Sequence, residues 1–325
     1  MKLITLALAG LLATGAAAKA ENFSFAYFMG PGHILNKALF TPYAEKLAEV
    51  SDGELTVQQF AGGGLNSAPP KQYSILLQGV ADMVFTLPGY TGDLFPVTNT
   101  ITLPDVCDNA VACTEALWRV KDLVEKEYDA KVLALWANAP PVLFTRDRKV
   151  TRVEDMAGLK VRNASSQDVP FTTALGASAL AQPVSVINQN LTNGVVDAVA
   201  VDPTAVQSFK LHEPANYMTT WYTGSGSAMI MLMNRSVYDG LSDQKKAWID
   251  QVSTKEMSLR GAKIFDELSA KAFAMARDSG VEIVEITPKE RDRFRAAIAP
   301  AMQEVRAGKA GGRSVGEIID LMKGQ

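Results

Sequence analysis

Sulfur and imidazole are scarce in this chain, with two cysteines and two histidines among 325 residues. Such a count excludes a disulfide-dense scaffold and leaves few soft ligands for a zinc or iron–sulfur centre. An excess of positive charge is also missing: 32 basic residues face 35 acidic ones, for a formal charge of −3. A broad electrostatic footprint for nucleic acid is therefore not expected. Gly62-Gly63-Gly64 follows a predicted strand but lacks the lysine of a phosphate loop, and there is no His-Glu-x-x-His. His212, in Leu211-His212-Glu213-Pro214, has no metal-ligand spacing to His33. Nothing singles out a nucleophile with its base and orienting acid, so neither an enzyme nor a cofactor or metal is expected.

What the chain does have begins at its start. Lys2 precedes an apolar run over 4–12, broken only by Thr5 and Gly10, and small residues lead to Ala18-Lys19-Ala20. This is the pattern of a secretory signal peptide cleaved near Ala20, and the run is shorter than the ~20 apolar residues that span a bilayer. A soluble protein outside the cytoplasm is expected. No cysteine stands near the cleavage site to carry a lipid anchor. Cys107 and Cys113 would meet oxidising conditions there. Their spacing leaves a disulfide and two buried thiols both open.

Beyond residue 20 apolar strands alternate with helical patterns. Strands are predicted at 23–29, 55–60, 82–87, 132–137, 142–145, 159–163 and 195–201. Helices are predicted at 34–50, 69–78, 166–175 and 186–192. The alternation argues for parallel βαβ units. The last hundred residues read as mainly helical, with one very long helix over 243–277, broken at most near Gly261, a strand at 281–286 and a helix at 288–307. An internal repeat stands out. Gly79-Val80-Ala81-Asp82 runs on to Pro88, and Gly194-Val195-Val196-Asp197 runs on to Pro203 with the same spacing. Each reads as a helix, a glycine stop and a buried strand closed by proline. Two similar α/β domains with a cleft between them follow. Ligands sit beyond the carboxyl ends of parallel strands, which makes Phe28, Met29, Leu87, Pro88, Asn138, Arg162, Asn163, Val201 and Asp202 candidates.

Several segments together resemble a known family. They are Gly63-Gly64-Leu65, Leu77-Gln78-Gly79-Val80-Ala81-Asp82-Met83, Leu103-Pro104, Lys131-Val132-Leu133-Ala134-Leu135-Trp136, Val153-Glu154-Asp155-Met156-Ala157-Gly158-Leu159-Lys160-Val161-Arg162, Ala174-Leu175-Gly176-Ala177 and Gly194-Val195-Val196-Asp197. In order and spacing the chain resembles the dicarboxylate-type periplasmic solute-binding proteins of tripartite ATP-independent periplasmic (TRAP) transporters. The resemblance implies two α/β domains of the periplasmic-binding-protein type, joined by hinge strands and a long domain-spanning helix. The expected division is 21–143 with about 226–255 in one domain, and 144–225 with about 256–325 in the other. It implies a small organic anion as ligand and integral-membrane small and large TRAP subunits, driven by an ion gradient, as partners of a monomeric shuttle.

The resemblance also assigns residues. Arg162 matches the family's ligand arginine in its Gly-Leu-Lys-Val-Arg segment, and a guanidinium fork suits a carboxylate; the alternative is an ion pair with a nearby acid. Asp202 stands where many members carry asparagine. It either faces a ligand hydroxyl or ammonium, or caps the following helix. The strand 142–145 has no second arginine, which points to one dominant anionic group and keeps a zwitterionic or sulfonated ligand as the alternative to a plain carboxylate. His33, at the start of the first helix, is either near the ligand or a local hydrogen-bonder. Phe28, Tyr90, Trp136, Phe144 and Trp221 are aromatic candidates for the cleft wall or for the core, and Asn138 and Asn163 for polar contacts. Arg146, Arg148 and Arg152 form a basic run, read as solvated surface or a docking patch.

Overall fold

The computed structural model describes residues 20–325, so the predicted leader lies almost wholly outside the described residues. Eleven strands build two mixed sheets. The first holds β1 (Glu21–Ala26), β2 (Leu55–Phe60), β3 (Met83–Thr86), β4 (Ala130–Ala137) and β10 (Ala228–Asn234) in the order β2-β1-β3-β10-β4. The second holds β5 (Val142–Thr145), β6 (Lys160–Asn163), β7 (Ser178–Ala181), β8 (Ala198–Val201), β9 (Tyr217–Thr219) and β11 (Glu282–Val284) in the order β11-β9-β5-β8-β6-β7.

The two sheets repeat one plan. In the first, β1 pairs in parallel with β2 and β3, and β10 runs antiparallel between β3 and β4. In the second, β6 pairs in parallel with β7 and β8, and β5 runs antiparallel between β8 and β9. The repeated sequence explains the match. Gly79 and Gly194 both adopt left-handed φ, 70° and 69°, after the short helices Gln72–Leu77 and Ile187–Thr192. Glycine reaches that conformation at no steric cost. The strands that follow, β3 and β8, occupy the same place in each sheet.

Strand β5 follows β4 in sequence yet completes the second sheet, and β10 follows β9 yet completes the first. The chain therefore crosses between the sheets at 138–141 and again at 220–227. The two crossings lie side by side: Asn138 N donates to Ser227 O at 3.2 Å, and Ser227 N donates to Asn138 Oδ1 at 2.7 Å. The domain-spanning helix, Lys255–Asp278, makes a third connection. It packs on β4 and on the helix Ala110–Arg119 at one end, and on β11 at the other. It is separate from the preceding helix Asp243–Val252, and the break falls at Ser253 rather than at Gly261. Thr254 caps the new helix by accepting from Met257 N at 3.1 Å. Gly261 stays helical because the space beside it is filled: a Cβ there would stand 3.0 Å from Trp136 Nε1. The last helix, Val315–Lys323, packs back on Ala110–Arg119. Each sheet buries both faces, as parallel α/β sheets do, with β4 and β10 almost wholly inaccessible.

Cys107 and Cys113 are joined in a disulfide at the start of the helix Ala110–Arg119, which fixes the pairing left open by their spacing.

Candidate functional site

A cavity lies between the sheets, with about 880 Å³ of non-atom space including its mouth. Its wall is rich in aromatic rings, including Phe28, Tyr90, Phe171, Phe209 and Tyr222. The polar groups within it come from strand ends and from the two crossings.

Arg162 is the central one. Its place near the end of β6 corresponds to that of Ala26 in β1, so the duplicated plan carries this charge in one half only. The side chain is wholly inaccessible to solvent. Nε and an Nη donate to Gln182 O at 2.9 and 2.6 Å, and the other Nη donates to Ala200 O at 3.1 Å. Three of its five N–H groups are thus held by backbone carbonyls, which fixes the plane of the fork. Among the described residues no carboxylate makes a direct ion pair with it; Asp168 and Asp202 act on it at longer range. Burial lowers the guanidinium's affinity for its proton, while Tyr90, Asp168 and Asp202 work against that shift. A buried cation with no carboxylate in direct contact is costly by several kcal/mol.

Asp202 lines the cavity with both carboxylate oxygens engaged by protein groups. Oδ1 accepts from the backbone N–H of Thr204 at 3.0 Å and from its hydroxyl, turning the chain after β8. Oδ2 accepts from Asn138 Nδ2 at 3.0 Å and ties that turn to the 138–141 crossing. Burial raises its pKa and these donors pull it back. Asn163 Nδ2 donates to Thr172 Oγ1 at 3.0 Å, and Thr172 is 2.9 Å from the Tyr222 hydroxyl. His33 lines the cavity with Nδ1 accepting from Leu35 N at 3.3 Å; burial lowers its pKa to about 4, so it is neutral at pH 7. Tyr90 reaches across the cleft, where its hydroxyl accepts from Val184 N at 3.1 Å. Phe28 packs between Phe85 and Tyr90.

The cavity thus gathers Arg162, Asp202, His33, Phe28, Tyr90, Asn138 and Asn163, and leaves three candidates outside. Trp136 is core, stacked on Phe85 at 5.6 Å. Phe144 is fully buried on the far face of β5 with Ile187 and Leu191. Trp221 lies in a separate crevice, edge-on to Phe294 and flanked by the guanidinium groups of Arg291 and Arg295. The basic run is engaged locally: Arg146 with Asp147, Arg152 with Asp155, and Arg148 with the carbonyls of Asp155 and Ala157.

Asp168 lines the cavity and was not foreseen. Its signal in the sequence is Ser165-Ser166-Gln167-Asp168, which reads as a capping box, and it does form one. Burial pushes its pKa up to about 6, opposed by hydrogen bonds from Ser165 N and the Thr102 hydroxyl and by the charge of Arg162.

No Gly-x-Ser-x-Gly string was expected, yet one is present at Gly312-Arg313-Ser314-Val315-Gly316. It is a helix cap, not a nucleophile elbow: Ser314 Oγ accepts from Glu317 N at 3.1 Å, and no histidine bonds to it. Among the described residues no group of three or more His, Cys, Asp or Glu side chains is placed to hold a metal, and no helix is long and apolar enough to cross a membrane.

Two sheets of one plan, two hinge crossings and a spanning helix around a cavity are the frame of a solute binder. The sequence profile of the bacterial extracellular solute-binding proteins, family 7, matches residues 25–309. The chain belongs to that family. Its fold is shared with a TRAP solute-binding protein from an unidentified marine microbe, described as specific for aromatic acid ligands and solved with 3-hydroxybenzoate. The TM-score is 0.87 at 26% identity, over 94% of this chain and 98% of that one. A TRAP periplasmic solute-binding protein from Bordetella bronchiseptica, solved with (R)- and (S)-mandelate, has the same fold, with a TM-score of 0.84 at 22% identity over 94% and 98% of the two chains. Among curated sequences, the outer membrane transporter protein TsaT of Comamonas testosteroni is 25% identical over 291 residues, 86% of this chain and 84% of its own length. Family and fold are those of TRAP transport solute-binding proteins, which act outside the cytoplasm.

Proposed function

We propose that this solute-binding protein captures a small aromatic monocarboxylate between its two sheets and hands it to the membrane subunits of a TRAP transporter. The observation that carries the reading is Arg162: fully buried, held flat by three carbonyl hydrogen bonds, and with no carboxylate in direct contact in a cavity walled by rings. The N–H groups that the carbonyls leave over are shared only with the Tyr90 hydroxyl; on a fixed guanidinium they suit a carboxylate, and the apolar rings suit the rest of an aryl acid. The marine relative's aromatic acid ligands support the same class. Each sheet with its helices acts as one domain, about 21–143 with 226–255 and about 144–225 with 256–325, hinged at the crossings. Closure excludes water and strengthens the ion pair, and the ligand favours the closed form by its differential affinity. The protein works as a monomer in the periplasm after cleavage near Ala20.

Asp168 and Asp202 give a zwitterion, with its ammonium beside an aspartate, a second claim on the cavity. A thermal-shift screen of the mature protein separates the two. Ligand at a hundredfold its Kd adds about 2.7 kcal/mol of stability. Stabilisation by 3-hydroxybenzoate or benzoate, with none from betaines or amino acids, supports the proposal. The reverse pattern replaces it with the zwitterion reading, and no shift with any carboxylate refutes it.

A further inference from the structure

The ionisable groups lining the cavity are few enough to be counted. Arg162 comes from β6, Asp202 follows β8, and Asp168 ends the helical turn Ser166–Asp168 after β6. His33 faces them from the bend before the first helix, and the hydroxyls of Tyr90 and Tyr222 from the loop after β3 and from the 220–227 crossing. No lysine or glutamate is among the lining residues. Both tyrosines stay protonated, because burial raises their pKa values, and His33 stays neutral. With both aspartates ionised the cavity carries one net negative charge before any ligand enters. A bound carboxylate would make it two, in a space from which closure removes water. Like charges held that way drive one of the groups to its neutral form.

The two aspartates are not equivalent. Asp202 has a donor on each oxygen, from Thr204 on one side and Asn138 on the other. Donors aimed at both oxygens favour the carboxylate. Asp168 has a long bond from Ser165 N at 3.3 Å and a hydroxyl from Thr102. It has fewer donors than Asp202 and leans on the charge of Arg162 to stay ionised, the charge that a bound carboxylate takes up; Tyr222, its other neighbour, offers no positive charge.

We propose that Asp168 is a specificity-determining residue that faces the bound ligand as a neutral acid, so that the carboxylate enters together with one proton. As an acid, Asp168 has an O–H to donate, which favours ligands with an acceptor on that side. One proton leaves solvent for each ligand bound, and no other bond changes. This inference rests on the reading of Arg162 as the carboxylate's partner.

Calorimetric titration of the mature protein with 3-hydroxybenzoate tests it, between pH 5.5 and 8.5, in two buffers of different ionisation enthalpy. The expected result is uptake of close to one proton at pH 7.5 and an affinity that falls toward tenfold per pH unit above about pH 6. Asp168→Asn should abolish both effects and bind more than about tenfold tighter than the parent at pH 8, while Asp202→Asn should retain the uptake. A pH-independent affinity without proton uptake overturns the inference and leaves the carboxylate reading standing. Uptake that persists in Asp168→Asn moves the proton elsewhere and overturns the assignment. Failure of every carboxylate to bind at any pH overturns the reading and the inference with it. Should Asp168→Asn fail to fold, the proton count on the parent protein decides alone.

Discussion

Replacing Gly226 with alanine tests whether the two hinge crossings and the cavity form one mechanical unit. A Cβ at this position would stand 2.2 Å from the carbonyl oxygen of Asn138, with Cys113 Sγ at 3.1 Å and Ala137 Cβ at 3.3 Å. An ordinary carbon–oxygen contact is about 3.3 Å or more, so a backbone atom must move by about 1 Å. The disulfide blocks one direction of relief. In the other, Asn138 is pushed away from Ser227, stretching the two hydrogen bonds between the crossings, and the bond from Asn138 to Asp202 is displaced with them. Overpacking contributes about 1–3 kcal/mol, and each weakened hydrogen bond about 0.5–1.5 kcal/mol. The reduced freedom of the unfolded chain returns about 0.4–1 kcal/mol. A net loss of about 2–4 kcal/mol is expected, read by urea denaturation, with Tm lowered by roughly 2 °C or more per kcal/mol. Affinity for the ligand should fall in the same variant, because Asp202 loses its tie to the hinge. Gly32→Ala is the control: a Cβ there meets nothing within 4 Å, and surface changes of that kind stay within about 0.5 kcal/mol. A Gly226→Ala protein that melts and binds like the parent would refute the coupling.

Two further outcomes follow from the cavity. Arg162→Ala should weaken binding of the ligand that the screen identifies by about 2–5 kcal/mol, roughly 30-fold to several-thousand-fold, since it strips a desolvated partner from the carboxylate; calorimetry giving an affinity within threefold of the parent would remove Arg162 from the site. Asp168→Asn should change stability with pH. Because the folded pKa is raised to about 6, the parent holds its Asp168 contribution fully below about pH 4 and loses it as pH rises through 6. The Tm difference in favour of Asp168→Asn should therefore open between pH 4 and 6.5 and then level off, at about 1–2 kcal/mol after allowing for partial exposure. His33, whose lowered pKa makes stability fall with acid over an overlapping window, cancels when the two proteins are compared. A difference that is flat across this range would show Asp168 to be an ordinary surface carboxylate.

The fold was largely legible because its signals are local. A glycine stop before a buried strand appears twice at one spacing, and that alone announced two sheets of one plan. Arg162 was legible for a similar reason: a charge in a buried strand demands a partner. What escaped was whatever depends on direction or on distant neighbours. Strands β4 and β5 are buried on both faces, so no period-2 alternation marks which of Trp136, Asn138 and Phe144 faces the cavity. β7 is short and partly exposed, and β9 is three residues long; neither carries a hydrophobic run of its own. The helix break at Ser253 has no glycine or proline to announce it, only a threonine cap. Asp168 hid behind a sound local explanation, since one side chain both caps a turn and lines the cavity.

The exchange of β5 and β10 between the sheets has a consequence for how the protein comes into being. Strand β10 lies between β3 and β4, so β4 has no neighbour in its own sheet until residues 228–234 have been synthesised. The second sheet must accept β5, the first strand to arrive after β4, before it has built β6 or β8 to hold it. The first sheet is therefore not a self-sufficient folding unit, and the contacts that complete it are far apart in sequence, the arrangement that slows folding most. The first sheet thus stays open until the chain has passed through the second and crossed back.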